Sequence, residues 1–95
     1  MILKILAICG SGLGSSFMLE MNIQQALREL GVDNIEVEHC DLSSATSDMA
    51  DLFVMAKDIA EGASHLGDRI VLESIIDQEE IMNKLKQKLE ELGIL

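Results

Sequence analysis

One stretch near the start of the chain decides the fold: ILKILAICGSGLGSS, residues Ile2–Ser16. Its first half, Ile2–Ile8, is almost entirely apolar, which is typical of a parallel strand buried on both faces. Its second half, Cys9–Ser16, holds three glycines and three serines in eight residues, which predicts a loop. Apolar residues then recur at helical spacing, which predicts a helix from about residue 15 to residue 30. A strand, a glycine-rich loop and a helix in this order indicate an α/β domain with a parallel sheet.

The rest of the chain predicts three further strands and a second long helix. Apolar and charged residues alternate in Ile35–Cys40, which predicts a strand at the sheet edge with one solvated face. Asp51–Ala56 predicts a central strand and Arg69–Leu72 a short fourth one. The last helix is predicted from Asp77 or Gln78 onward, and its inward residues are expected to be Ile81, Leu85, Leu89 and Leu92. We therefore expect a small doubly wound, flavodoxin- or Rossmann-like sheet of four mainly parallel strands, in the order 2-1-3-4, with helices on both faces.

Composition narrows the class of protein. A length of 95 residues fits a single domain spanning residues 1–95. The 17 acidic and 7 basic side chains give a net charge of −10, which argues against nucleic acid as the main partner because phosphate contacts need Lys and Arg. No apolar run is long enough for a transmembrane helix, and the apolar opening is too short for a secretion signal. Two cysteines in such a chain indicate the reducing cytosol.

The glycine-rich loop predicts a phosphate site beside a reactive thiol. Glycines let successive backbone N–H groups turn inward around an anion, and the start of the next helix adds further N–H donors. Cys9, at the end of the strand, would face this positive field, which should lower its pKa and suit the thiolate to accept a phosphoryl group. Acidic residues are absent before Glu20. The predicted phosphate-binding residues are Gly10, Ser11, Gly12, Leu13, Gly14, Ser15 and Ser16; no metal or cofactor is expected there.

Other interpretations of the loop remain open on the residues alone. Cys9 could be an inert residue at a strand end. The glycines could form a dinucleotide-binding fingerprint, although Ser15 fills the place of its third glycine. A Walker A loop is excluded because it needs a lysine. A cysteine phosphatase or an arsenate-reductase-like enzyme is the strongest competitor, but such enzymes need an arginine where this chain has Ser15.

These residues resemble a known family. The segment Cys9–Ser16, followed by Phe17 and Met18, resembles the IIB component of the bacterial sugar phosphotransferase system, and most of all the ascorbate type within the ascorbate/galactitol group. The resemblance extends over the whole chain, including Asp51–Ile59. Ser11 and Leu13 stand where the family also has Asn or Gln, which affects the choice of sugar rather than the relay.

The resemblance implies a role for the chain and for each loop residue. Cys9 would receive a phosphoryl group from a phosphohistidine on the IIA protein. It would pass the group to a sugar, taken to be ascorbate, that the membrane transporter IIC holds. The loop backbone and the hydroxyls of Ser11, Ser15 and Ser16 would bind the phosphate. The protein would be cytoplasmic and peripherally associated with the transporter.

Three apolar residues are expected to surround Cys9 and to dock the IIA and IIC partners. Leu13 lies in the loop. Phe17 and Met21 follow on the face of the first helix opposite to the apolar face that is expected to pack in the core. An open alternative is that the crossover after the second strand covers Phe17 and Met21. In that case the docking surface would lie elsewhere.

Four further residues with reactive side chains are expected to be spectators. Cys40 ends the second strand, with a redox pair to Cys9 as the alternative. His39 and His65 are expected to be surface or hydrogen-bonded histidines, since a relay through phosphocysteine needs neither. Lys57 is expected to be solvated, with the alternative that it lends positive charge near the phosphate.

Overall fold

The structure is a computed structural model that describes residues 3–9 and 15–95, without the side chains of Ser15 and Ser16. Four strands and two long helices are present, as the sequence predicts, and most of their ends fall within a residue or two of the expected positions. The elements, in chain order, are β1 (Leu3–Cys9), α1 (Ser15–Glu29), β2 (Ile35–Asp41), a 3₁₀ turn (Leu42–Ser44), β3 (Leu52–Ala56), α2 (Lys57–Ala60), a second 3₁₀ turn (Glu61–Ala63), β4 (Arg69–Leu72) and α3 (Gln78–Glu91).

The four strands form one parallel sheet in the order β2-β1-β3-β4, which confirms the predicted order. β1 and β3 are central, and their side chains are almost all buried, which explains their nearly continuous apolar sequence. β2 lies at the edge and alternates between half-buried and exposed residues over its first part. The register places Cys9 opposite Asp41 of β2, and Ile8 opposite Met55 of β3.

Both long helices cover the same face of the sheet, where they form the larger of two apolar clusters. α1 ends at Glu29, within one residue of the predicted end, and Gly31 just beyond it adopts a positive φ of 74° that a side chain would strain. α3 begins at a capping residue, Asp77, whose carboxylate accepts a hydrogen bond of 3.1 Å from the backbone N–H of Glu80. The prediction that Leu92 faces inward is wrong: α3 ends at Glu91, and Leu92 is exposed. The buried residues of the two helices are Leu19, Ile23, Ala26, Leu27, Ile81, Leu85 and Leu89.

The opposite face of the sheet is covered by short segments instead of long helices, and it is called the thinner face. Its cluster is built on Leu6, Ile8, Phe53 and Met55, which point away from the long helices. Short segments cover these side chains: the two 3₁₀ turns, the four-residue α2 and the loops beside them. Helices on both faces are therefore present as expected, but only one face carries long ones.

Candidate functional site

Cys9 is the last residue of β1, the central strand from which the chain turns outward to β2 and later returns to β3. In open α/β sheets, ligands bind outside the carboxyl ends of the strands at such a change of direction. Cys9 is partly exposed, whereas the four residues before it are buried. The buried body of β1 thus fixes the backbone at this position and leaves the thiol at the edge where a ligand can reach it.

α1 begins at Ser15, six residues after Cys9, and runs back along the sheet. Its first turn contains no acidic residue, so the N-terminal end of the helix keeps the positive field of its unpaired N–H groups. The residues predicted to form the phosphate loop, Gly10, Ser11, Gly12, Leu13 and Gly14, lie outside the described residues, as do the side chains of Ser15 and Ser16. Helix α1 and Cys9 therefore bound the predicted loop on its two sides.

One carboxylate near the thiol escaped the sequence analysis. Asp41 is opposite Cys9 in the register and on the same face of the sheet. Its carboxylate accepts hydrogen bonds from the hydroxyls of Ser43 and Ser44, which lower the pKa of Asp41 below its usual value of 3.8. Asp41 is therefore ionised at neutral pH, and its carboxylate is hydrogen-bonded to residues of the 3₁₀ turn that follows it. The sequence separation of 32 residues hides this neighbour, and only the strand register reveals it.

Cys40 is not placed to form a redox pair with Cys9. It lies opposite Ile8 in the register, so its side chain leaves the sheet on the face opposite to that of Cys9. There it packs against the cluster of Leu6 and Phe53. Burial, followed by the charge of Asp41, raises the pKa of the Cys40 thiol above its usual value of 9.0 despite a hydrogen bond with the Asp41 backbone. These properties fit the expected spectator.

The two docking residues that the structure describes are exposed. Phe17 and Met21 each expose 51% of their surface, so no crossover covers them and the alternative prediction is wrong. Met18, 48% exposed, lies beside them and was missed, because it falls outside the narrow face on which the other two were found. These three residues, Phe17, Met18 and Met21, are called the α1 apolar patch. The third predicted docking residue, Leu13, lies outside the described residues.

His39 is involved in more contacts than the sequence predicted. It lies opposite Ala7 on β2, and its side chain shares a face with Cys9. Its Nδ1 is 2.6 Å from Oε1 of Glu20, and its ring meets that of Phe17 edge to face, with centroids 5.7 Å apart. His39 is thus the expected hydrogen-bonded histidine, and it joins the edge strand to the first turns of α1.

The other two predicted spectators, Lys57 and His65, make contacts with other residues. Lys57 follows β3, and its Nζ is 2.8 Å from Oε2 of Glu73, at the end of β4 and therefore on the side away from β1. Both side chains are largely exposed, so this ion pair contributes little. His65 places its Nε2 3.2 Å from the carbonyl oxygen of Ala45, within the thinner cover of the sheet.

Polar contacts brace the carboxyl edge of the sheet on the side of β4. The carboxylate of Glu80 accepts hydrogen bonds from the backbone N–H groups of Glu73 (2.7 Å) and Ser74 (3.0 Å), and it pairs with Lys84 at 2.8 Å. Asn22 of α1 donates to the carbonyl oxygen of Ile75 at 2.9 Å. The loop after β4 is thereby attached to both long helices, and α1 is held in place next to the site.

A family comparison matches almost the whole chain. Residues 4–87 match the family described as "PTS system, Lactose/Cellobiose specific IIB subunit". Over 74 residues the chain is 32% identical to the ascorbate-specific PTS system EIIB component of Salmonella choleraesuis (strain SC-B67), and 31% identical to that of Escherichia coli O157:H7. Each alignment covers 76% of this chain and 72% of the relative.

A solved structure has the same fold. It is the lactose-specific IIB component domain of a phosphotransferase system from Streptococcus pneumoniae, which aligns with a TM-score of 0.60 over 95% of this chain and 97% of that one. The sequences are 20% identical, so this likeness supports the fold alone. Within residues 3–9 and 15–95, no helix is long and apolar enough to cross a membrane.

Proposed function

The chain belongs to the IIB family of the sugar phosphotransferase system, and from this premise we propose that it relays phosphoryl groups through a phosphocysteine at Cys9. The donor is a phosphohistidine on a IIA protein, and the acceptor is a sugar held by a membrane IIC transporter. Such a relay works in the cytoplasm, beside the transporter. The whole of residues 1–95 acts as one IIB domain.

The proposed chemistry has two displacement steps at phosphorus. In the first, the thiolate of Cys9 attacks the phosphoryl group of the donor, an S–P bond forms, and the N–P bond to the donor imidazole breaks. In the second, a hydroxyl oxygen of the sugar attacks the same phosphorus and an O–P bond forms. The S–P bond breaks, the thiolate of Cys9 leaves, and the hydroxyl proton is released. N–H groups of residues 10–16 would hold the phosphoryl oxygens in both steps, with hydroxyls of Ser11, Ser15 and Ser16.

One observation carries this proposal: Cys9 ends the central strand at the point where the sheet changes direction, and the start of α1 follows after five residues. A partly exposed thiol at this place can be approached by a phosphoryl group on another protein. The position where a cysteine phosphatase has its arginine is Ser15. Without that guanidinium, hydrolysis of a phosphocysteine lacks its usual electrostatic support.

The α1 apolar patch is the proposed docking surface for the IIA and IIC partners, together with Leu13. Phe17 lies in the first turn of the helix, so a partner that reaches the thiol also reaches this residue. Three half-exposed apolar side chains in two helical turns give a small contact area, which suits a complex that forms and separates in every cycle.

Ascorbate is the proposed sugar, because the relatives with 31–32% identity are named as ascorbate-specific. The IIC transporter would hold this substrate, and the IIB chain would meet only the hydroxyl that accepts the phosphoryl group. Membrane vesicles carrying an ascorbate-type IIC transporter would test this. We expect the phosphorylated chain to transfer its phosphoryl group to ascorbate and not to lactose.

The relay itself is tested by phosphoryl uptake from an ascorbate-type IIA protein that carries phosphohistidine. We expect the wild-type chain and Cys40→Ser to take up one phosphoryl group per molecule, and Cys9→Ser to take up none. Uptake by Cys9→Ser at the wild-type level would refute the assignment. Catalytic hydrolysis of a simple phosphate ester by the wild-type chain, without transfer from IIA, would instead favour the phosphatase alternative.

A further inference from the structure

We propose that His39 is a positioning residue, which holds the ring of Phe17 in place for docking of the IIA partner. This inference rests on the proposed function and assigns to that site a residue from a different element, the edge strand β2. It concerns the binding of the partner rather than the transfer of the phosphoryl group at Cys9.

His39 is itself held firmly by α1. The side chain of Glu20 is only 16% exposed, and a carboxylate that is buried to this extent needs a hydrogen-bond partner. The Nδ1 of His39 supplies it at 2.6 Å, whereas the amide of Gln24 is 3.4 Å from the other oxygen. Because the carboxylate can only accept, Nδ1 carries the hydrogen and the ring orientation is fixed. The ring is attached to the rigid edge of the sheet through the backbone of β2.

Phe17 rests on this fixed ring. The two rings meet at an interplanar angle of 70° with centroids 5.7 Å apart, which is the edge-to-face arrangement that aromatic pairs favour. Phe17 is nevertheless 51% exposed, so half of it remains available to a partner. An exposed side chain that is already fixed loses less entropy when a partner binds. Met18 and Met21 are longer, more flexible side chains that adapt to a partner without such support.

The position of this pair relative to the thiol gives it a role in docking. His39 lies opposite Ala7, two residues before the position opposite Cys9, and on the same face of the sheet. Strand spacings place the Cα atoms of His39 and Cys9 about 8 Å apart. A partner that brings a phosphorus atom to the thiol therefore covers Phe17 at the same time. At the β3 side of Cys9, Lys57 and Glu73 are exposed and form an ion pair with each other.

The test measures the rate of phosphoryl transfer as a function of the concentration of an ascorbate-type IIA protein carrying phosphohistidine. For His39→Ala we expect KM for this donor to rise about two- to tenfold, the range that corresponds to the loss of one aromatic pair, with kcat unchanged. His39→Asn keeps a donor at the position of Nδ1 for Glu20 but lacks the ring, so it should show the same rise. His65→Ala, on the other face of the sheet, is the matched control and should transfer as the wild type does.

A double-mutant cycle separates positioning from a general effect on the fold. If His39 acts through Phe17, then Phe17→Ala and His39→Ala together should raise KM no more than Phe17→Ala alone. Met21→Ala and His39→Ala should instead combine multiplicatively. Wild-type KM in both His39 variants, or a multiplicative combination of Phe17→Ala with His39→Ala, would overturn the inference. Those results leave the relay intact, whereas a wild-type chain that takes no phosphoryl group from the donor refutes the proposed function and this inference with it.

Discussion

At the scale of single residues, the two thiols differ in their surroundings although they lie on neighbouring strands. Cys40 packs against the apolar cluster on the thinner face, and burial raises its pKa above 9.0. Cys9 lies at the carboxyl edge, close to the N-terminal end of α1. We expect Cys9 to react with iodoacetamide at neutral pH at least about tenfold faster than Cys40, since only a thiolate reacts and a helix N-terminus favours the thiolate.

Single-cysteine variants measure this difference directly. Cys40→Ser leaves only Cys9 to be alkylated, and Cys9→Ser leaves only Cys40. Rates recorded from about pH 6 to about pH 9 should show Cys9 reaching its full rate at the lower pH. Equal profiles for the two variants would contradict the account of a site that stabilises negative charge at Cys9.

The residues that the sequence analysis found and those it missed differ in one respect. Cys9 could be proposed from the sequence because the chemistry of the loop is local: the cysteine, the glycines and the helix start lie within eight residues. Asp41 near Cys9, and the contact of His39 with Glu20, were missed because they depend on strand register and on how α1 lies across β2. A pattern along the chain carries no information about register between two strands.

At the scale of elements, Glu80 joins α3 to the loop after β4. Burial would raise the pKa of Glu80, but hydrogen bonds from Lys84 and from the N–H groups of Glu73 and Ser74 outweigh it, so the pKa is below the usual 4.5. A carboxyl whose pKa is lower in the folded state stabilises the fold fully above the unfolded-state pKa. This stabilisation is lost as the pH falls through the folded-state pKa.

We therefore expect Glu80→Gln to lower the free energy of unfolding at pH 7 by about 1–2 kcal/mol, since an amide cannot accept all three hydrogen bonds. The difference from the wild type should shrink as the pH falls below 4.5. Glu79→Gln is the matched control, because Glu79 lies in the same helical turn but is exposed. Urea unfolding at several pH values measures this. A loss of stability that is equal in both variants, or independent of pH, would refute the role of Glu80.

The element boundaries show what sequence patterns could establish. β4 was predicted residue for residue from its short apolar run. α3 was predicted to within one residue at its C-terminal end, because capping by Asp77 and a helical apolar period mark it locally. The crossover after β3 was less predictable. The sequence of Ile59–Leu66 predicts only a short irregular or helical crossover, whereas the structure begins the crossover at Lys57, as α2 followed by a 3₁₀ turn. So short a segment has too few residues to display a period, and its conformation is set by the face of the sheet that it covers.

At the scale of the whole molecule, strand order was predictable because one strand differs from the others. Only β2 alternates apolar and charged residues, which indicates an edge, and right-handed crossovers then leave the order 2-1-3-4 as the natural choice. The uneven cover of the two faces was not predictable in the same way. It follows from the lengths of the connections once they are folded over the sheet, and it leaves α1 and α3 to brace the side of the molecule where Cys9 lies.

The acidic side chains are unevenly distributed along the sequence. The net charge is −10, yet residues 15–28 of the sequence contain a single acidic residue, Glu20, and its carboxylate is turned to His39. A neutral apolar surface within an acidic molecule is a distinct place for a partner to bind. The proposed docking surface and the proposed transfer site therefore share one region, the carboxyl edge of β1 and the first turns of α1.

The most direct test of the relay is a phosphorus-31 NMR spectrum of the chain after incubation with a phosphorylated IIA protein and removal of that donor. A phosphorus atom bonded to sulfur and one bonded to nitrogen give separate resonances. The account predicts a single thiophosphate resonance in the wild type and in Cys40→Ser, and none in Cys9→Ser. A phosphoramidate resonance from a histidine of this chain, or any protein-bound phosphorus in Cys9→Ser, would contradict it.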